Sequence, residues 1–142
     1  MNHVTLCGYL GKDFELIKKG EKSSIAKSTL AVSETKKDEN GNLIETTNWI
    51  PIVIFGKKAD IAFQYLKKGD RFLGEGKILT SAFQDQNGNI RYSWQVIIYR
   101  FEFVNNKKEL KPNIENPPKD IINQINEEEV QKYNTEEGDL PF

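Results

Sequence analysis

The residues best suited to binding a ligand are two large aromatic side chains, Trp49 and Phe55, which flank a run of isoleucines. Because side chains alternate between the faces of a β-strand, the two rings share one face, and Ile50, Ile52 and Ile54 share the other. Isoleucines suit a barrel interior, so the rings are expected to point outward. An outward ring can stack on a nucleobase, which contributes about 1–3 kcal/mol per base. The alternative is that both rings pack beneath a loop or in a subunit interface.

A third aromatic candidate is Phe83, which precedes an Asn-Gly pair at residues 87–88. Such a pair is typical of a tight β-hairpin turn, so Phe83 is expected on a projecting hairpin arm. Arg91 follows the turn, on the other side of that arm, and is a further binding candidate. Tyr92 and Trp94 share a face by alternation, and for Trp94 a core position is favoured over a binding role.

Lysines accompany these rings. Lys36 follows the second predicted strand, and Lys57 and Lys58 come directly after Phe55 and one glycine. Lysines that contact phosphates supply affinity without regard to base sequence, and such binding weakens as salt rises because counterions are released. The alternative for Lys57 and Lys58 is an ordinary solvated helix start.

The residue types argue against catalysis. His3 is the only histidine and Cys7 the only cysteine, so the chain has no Cys/His cluster for zinc. No glycine-rich phosphate loop precedes a helix. We therefore expect no enzymatic activity, no cofactor and no metal. Cys7 lies in an apolar strand pattern and is expected to be a small buried hydrophobic residue.

A single cysteine allows no intramolecular disulfide, which favours a reducing compartment. No apolar run reaches membrane-spanning length. The expected location is therefore the cytoplasm, with no membrane contact.

Charge and composition divide the chain near residue 104. Residues 1–104 carry 15 Lys and Arg against 12 Asp and Glu, a net of +3, whereas residues 105–142 carry 5 against 9, a net of −4. The second segment has few residues that could fill a core, so it is expected to be a disordered acidic tail. The prediction is one folded domain at residues 1–104 and a tail at residues 105–142. The alternative is that the charge difference is ordinary surface variation.

The elements that must position these side chains are mostly strands. Apolar runs predict strands at residues 3–10, 25–34, 45–55, 71–79 and 90–104, and a helix at residues 57–68 that stops at Gly69. The Asn-Gly pairs predict two-residue hairpin turns in which both central residues have positive φ. Three strands, one helix and two strands is the order of the OB-fold, a five-stranded Greek-key barrel of the all-β class.

The last residues of the sequence form a second candidate site. An apolar Pro-Phe pair follows an acidic stretch, and this suits a partner pocket that receives the ring and pairs the carboxylates with Arg or Lys. The alternative is that these residues have no role. The candidate partner-binding residues are Glu137, Gly138, Asp139, Leu140, Pro141 and Phe142.

Taken in order, several segments resemble the bacterial single-stranded DNA-binding protein family. Each is a weak signal alone, but the ordered combination is specific. The segments are residues 2–11, Ser33-Glu34-Thr35, residues 49–57 with Phe55-Gly56-Lys57, residues 65–69, Glu75-Gly76, residues 85–88 and Leu140-Pro141-Phe142.

The resemblance implies a homotetramer of OB-folds that wraps single-stranded DNA and has no catalytic activity. It implies that Trp49, Phe55 and Phe83 are base-stacking positions, and that residues 137–142 recruit replication, recombination and repair proteins. The sequence departs from the family where Lys36 replaces a common stacking Trp. The tail is also short and rich in Asn and Glu. The complete set of DNA-binding candidates is Trp49, Phe55, Phe83, Lys36, Lys57, Lys58 and Arg91.

Two related functions compete with this one. An OB-fold adaptor would bind protein on its barrel, as in some primosomal proteins, but such proteins generally lack an acidic tail with an apolar tip. A plasmid- or phage-encoded relative would keep the same activity.

Overall fold

The computed structural model describes residues 1–18, 20 and 23–104. This part of the chain forms six β-strands and one α-helix. The elements are β1 (Val4–Leu10), β2 (Glu15–Lys18), β3 (Ser24–Lys37), β4 (Leu43–Phe55), α1 (Lys57–Tyr65), β5 (Arg71–Gln84) and β6 (Ile90–Phe103). Within it, no helix is long and apolar enough to cross a membrane. The predicted tail at residues 105–142 lies outside the described residues.

Five of the strands close into a barrel. β1 pairs antiparallel with β5 along residues 4–9 and with β3 at Tyr9 and Leu10. β3 and β4 form one antiparallel hairpin, β5 and β6 form another, and residues 52–54 of β4 pair in parallel with residues 96–98 of β6. The helix lies between the third and fourth barrel strands, so the barrel is an OB-fold. The predicted fold is confirmed.

The sixth strand, β2, was not predicted. It pairs with β3 through four residues, from Glu15 opposite Lys27 to Lys18 opposite Ser24. A strand of four residues is too short to show a periodic pattern, and its hydrogen bonds to β3 stabilise it. The two hairpins also extend further than predicted. β3 continues to Lys37 instead of residue 34, and β5 continues to Gln84 instead of residue 79.

Alternation along β4 places its isoleucines in the barrel interior, as predicted. Ile52 and Ile54 are fully buried there, and Ile50 packs at the edge of the same cluster. Each fully buried side chain of this size contributes about 1.5–3 kcal/mol. Other large members of this main core are Leu10, Leu30, Leu66, Phe72, Val96 and Ile98.

The helix is shorter than predicted. Leu66 is already extended, with φ −106° and ψ 133°, and the Asp70 carboxylate accepts a hydrogen bond from the Lys67 backbone N–H at 2.8 Å. The helix therefore ends at Tyr65 instead of Lys68. It packs through the small residues Ala59 and Ala62, whereas Tyr65 is 59% exposed.

The two hairpin tips have the same sequence pattern, Asp-x-Asn-Gly-Asn, and the same geometry. In each tip the Asp carboxylate accepts hydrogen bonds from the backbone N–H groups two and four residues later, at 2.7–2.9 Å. Gly41 and Gly88 have φ of 80° and 81°, and every described residue with positive φ is a glycine. At each tip five residues, 38–42 and 85–89, join the two strands. The asparagines do not have positive φ, so the prediction of a two-residue turn with positive φ at both Asn and Gly was wrong.

Cys7 is exposed, so the prediction that it is buried was wrong. In β1 it is Leu6 and Leu10 that contact the main core. Because side chains alternate along the strand, Cys7 must lie on the opposite side, outside the barrel.

Candidate nucleic-acid interface

The strand register places the predicted aromatic residues on one side of the sheet formed by β3, β4, β6 and β5. Val53 lies opposite Lys27 on β3 and Ile97 on β6, and Ile97 lies opposite Lys77 on β5. Every second residue from this row shares its face. We call this side the outer face. Its members include Lys27, Trp49, Val53, Phe55, Lys77, Phe83, Arg91 and Ile97.

Trp49 is partly buried and lies against the backbone of Gly11. A Cβ atom added at Gly11 would be 2.6 Å from Trp49 Cζ3 and 2.8 Å from Thr29 Oγ1. Only glycine leaves room for the indole at this place. The Gly11 backbone N–H also donates to the Thr29 carbonyl at 2.9 Å. The ring is therefore supported by a fixed piece of backbone.

Phe55 lies at the other end of the same strand face. Six residues at about 3.3–3.4 Å each separate the two rings by roughly 20 Å along β4. Phe55 is partly buried because it packs on a second, smaller apolar cluster of Ile25, Val53 and Ile97. Alternation correctly placed the ring outside the main core, but it did not indicate this second cluster.

The lysines that follow Phe55 lie at the start of α1. Gly56 has φ 71° and turns the chain from β4 into the helix. Lys57 and Lys58 are both exposed. Lys58 Nζ donates a hydrogen bond to the Tyr99 carbonyl of β6, which holds this ammonium group beside the sheet.

Phe83 and Arg91 are directly opposite each other on the β5–β6 arm. Phe83 is 40% exposed. Arg91 Nε donates to Asp85 Oδ2 at 2.9 Å, and this hydrogen bond, with those from the backbone N–H groups of the turn, lowers the pKa of Asp85. The arm thus carries a ring and a positioned cation side by side.

Lys36 has a different position from the other candidates. It pairs with Ile44 in the β3–β4 register and therefore lies on the face of the arm opposite to the outer face. Its Nζ is 3.9 Å from Glu34 Oε2. A role for Lys36 in binding stays a prediction.

Two lysines of the outer face were not among the sequence candidates. Lys27 and Lys77 lie in one row with Val53 and Ile97. The sequence feature that could have identified each of them is a single lysine within an otherwise apolar strand pattern. Trp94, in contrast, packs against the main core, as the sequence favoured.

Glu15 is an acidic neighbour of these lysines. It lies opposite Lys27 in the β2–β3 register, its Oε2 is 3.6 Å from Lys27 Nζ, and its Oε1 accepts a hydrogen bond from Lys12 Nζ. The hydrogen bond from Lys12 is the main cause of a lowered pKa of Glu15, and Lys27 acts in the same direction.

The candidate partner-binding residues 137–142 lie outside the described residues, as does the chain beyond residue 104. The role of this segment stays a prediction from the sequence.

An OB barrel with an aromatic and basic outer face belongs to the class of oligonucleotide- and oligosaccharide-binding domains. The model of the single-strand binding protein family matches residues 1–104, and the chain belongs to this family. It is 42% identical over 98 residues to single-stranded DNA-binding protein 1 of Chlorobaculum tepidum, a match that covers 68% of this chain and 60% of that protein.

The fold has a counterpart among solved structures. The structure of a Plasmodium falciparum SSB complex with ssDNA superposes with a TM-score of 0.68 at 23% identity, covering 74% of this chain and 96% of that chain. The likeness supports the OB-fold.

Proposed function

We propose that this protein binds single-stranded DNA on its outer face, without sequence preference and without altering the DNA chemically. The observation that carries the proposal is the register of β4, β6 and β5, which brings Trp49, Phe55, Phe83 and Arg91 to one side of the barrel. Membership of the single-strand binding protein family supports it.

The residues of the outer face offer two kinds of interaction, base stacking and electrostatic attraction to phosphates. The rings offer π faces, which every base possesses, so stacking tolerates any sequence. The cations supply the electrostatic part, which does not depend on sequence and weakens with salt. The DNA-binding set is Trp49, Phe55, Phe83, Arg91, Lys57 and Lys58, with Lys36 on the opposite face of its arm as a further phosphate contact.

The test is fluorescence anisotropy of a labelled thymidine oligomer at low salt. Wild-type protein is expected to bind it, and duplex DNA is expected to compete poorly. The variant Trp49→Leu with Phe55→Leu keeps apolar volume but removes both rings, so it should bind far more weakly. The control is Tyr65→Leu with Phe103→Leu, whose rings are 59% and 53% exposed and have centroids 6.2 Å apart. Tyr65 belongs to α1. Phe103 follows the β-bulge beside Glu75 and Gly76, which turns it, like Phe101 of the main core, away from the outer face.

Two outcomes would contradict the proposal. Absence of wild-type binding at low salt would overturn the function itself. Equal loss of affinity in both double variants would overturn the assignment of the outer face, whereas absence of wild-type binding would favour the adaptor function, in which the barrel contacts protein.

We also propose that the protein acts as a homotetramer in replication, recombination and repair, and recruits partner proteins through residues 137–142. The support is the resemblance of Leu140-Pro141-Phe142 to the family's tip. Native mass spectrometry with and without a long thymidine oligomer tests the subunit count. Deletion of Phe142 should spare DNA binding and abolish recovery of partners, and equal recovery would exclude the tip as the docking element.

A further inference from the structure

Lys12, Glu15 and Lys27 form a charged triad at the edge of the outer face. The carboxylate of Glu15 contacts both ammonium groups, that of Lys12 through Oε1 and that of Lys27 through Oε2. The triad joins the β1–β2 connection, β2 and β3. It is therefore built from three segments that the fold brings together.

The backbone around the triad is held in place. The Lys12 carbonyl accepts a hydrogen bond from Ser28 Oγ at 2.9 Å, and the preceding residue, Gly11, is fixed to Thr29 and supports Trp49. Lys27 lies directly opposite Val53, which is two residues from Phe55 and four from Trp49. The triad thus lies beside the segment of β4 that separates the two rings.

The three side chains differ in exposure. The side chain of Glu15 is 49% exposed, whereas those of Lys12 and Lys27 are 20% and 12% exposed. A phosphate that approaches this edge meets the carboxylate first, and the two cations lie largely covered around it. Carboxylate and phosphate carry the same sign of charge, so they compete for the same ammonium groups.

We infer that the Lys12–Glu15–Lys27 triad is a masked phosphate site, in which Glu15 occupies the two lysines and thereby limits the affinity of the outer face for the DNA backbone. This inference rests on the proposed function, because the phosphate belongs to single-stranded DNA bound between Trp49 and Phe55. The Glu15 carboxylate and the phosphate compete for the same two ammonium groups. We call this competition the charge gate.

The test compares the salt dependence of oligothymidine binding in wild-type protein and in Glu15→Gln. Each ammonium group that exchanges the Glu15 carboxylate for a phosphate of a single strand should steepen the slope of log K against log salt by about 0.7. Glu15→Gln is therefore expected to bind more tightly at low salt, with a slope steeper by about 0.7–1.4. Glu15→Ala should act in the same direction, and thermal unfolding checks that each variant is folded.

Two controls separate this site from a general charge effect. Glu102→Gln removes the same charge from a residue that is 3.9 Å from Arg100, near the end of β6 and beyond the bulge at Glu75 and Gly76. It should leave the slope unchanged. In a Lys12→Gln, Lys27→Gln background, Glu15→Gln should have no effect, because the lysines that it releases are gone.

The outcomes distinguish this inference from the proposed function. If wild-type protein binds the oligomer and Glu15→Gln shows an unchanged or shallower slope, the gate is overturned and the proposed function stands. A steeper slope in Glu102→Gln, or an effect of Glu15→Gln that persists without the two lysines, also overturns the gate. Failure of wild-type binding overturns both.

Discussion

Phe83 offers the cleanest test of base stacking, because its ring belongs to neither apolar cluster and is 40% exposed. Replacement by Ala should therefore cost little stability, within about 0.5 kcal/mol, as is usual for surface substitutions. The loss of one stacked base is worth about 1–3 kcal/mol. That free energy corresponds to a dissociation constant about 5- to 140-fold weaker.

The chain contains a closely matched control for this variant. Phe63 of α1 is also a phenylalanine and is 42% exposed, but its ring contacts Lys67 Nζ at 5.6 Å and lies off the outer face. Phe63→Ala should bind oligothymidine like wild-type protein.

The assay is a pair of anisotropy titrations with a labelled thymidine oligomer, accompanied by urea unfolding of each variant. Phe83→Trp, which enlarges the ring, should bind at least as tightly as wild-type protein. If Phe83→Ala and Phe63→Ala lose equal affinity, or if neither loses any, the stacking role of Phe83 is refuted.

Two further perturbations test the support of the outer face. Gly11→Ala places a Cβ 2.6 Å from Trp49 Cζ3, so we expect overpacking to cost about 1–3 kcal/mol and to weaken oligothymidine binding; unchanged unfolding and binding curves would contradict the packing argument. The lowered pKa of Asp85 means that its carboxylate stabilises the hairpin tip above its unfolded pKa of about 3.9, and that this contribution is lost as pH falls through the lower folded pKa. The protection factor of the Asn89 amide, which is its intrinsic exchange rate divided by its measured rate, should therefore fall in strong acid. In Arg91→Gln this fall should begin at higher pH, and an identical onset would show that Arg91 does not set it.

Local patterns were sufficient for several features of this protein. The alternation of Trp49, Phe55 and the intervening isoleucines identified the inward and outward faces of β4, and the order of strands and helix identified the OB-fold. These predictions succeeded because period-2 patterning and element order are properties of neighbouring residues in the chain.

Other features were misjudged because they depend on hydrogen bonds from backbone N–H groups to nearby Asp side chains, and the pattern of residue types does not show which of these bonds form. The helix ends early where Asp70 takes the Lys67 backbone N–H. The chain reverses over five residues at each hairpin tip, where the Asp side chain accepts hydrogen bonds from backbone N–H groups. An Asn-Gly pair alone does not reveal which loop length these hydrogen bonds favour.

Side-chain alternation is enough to show which residues of one strand share a face, such as Trp49 with Phe55. The pairing of strands in the folded barrel is needed to show that Phe83 and Arg91 join that face while Lys36 does not. The same is true of Glu15, which lies between Lys12 and Lys27. Alternation relates residues within one strand. The parallel pairing of β4 with β6 and the antiparallel pairing of β2 with β3 relate different strands. The register between such strands cannot be read from the residue pattern of either strand alone.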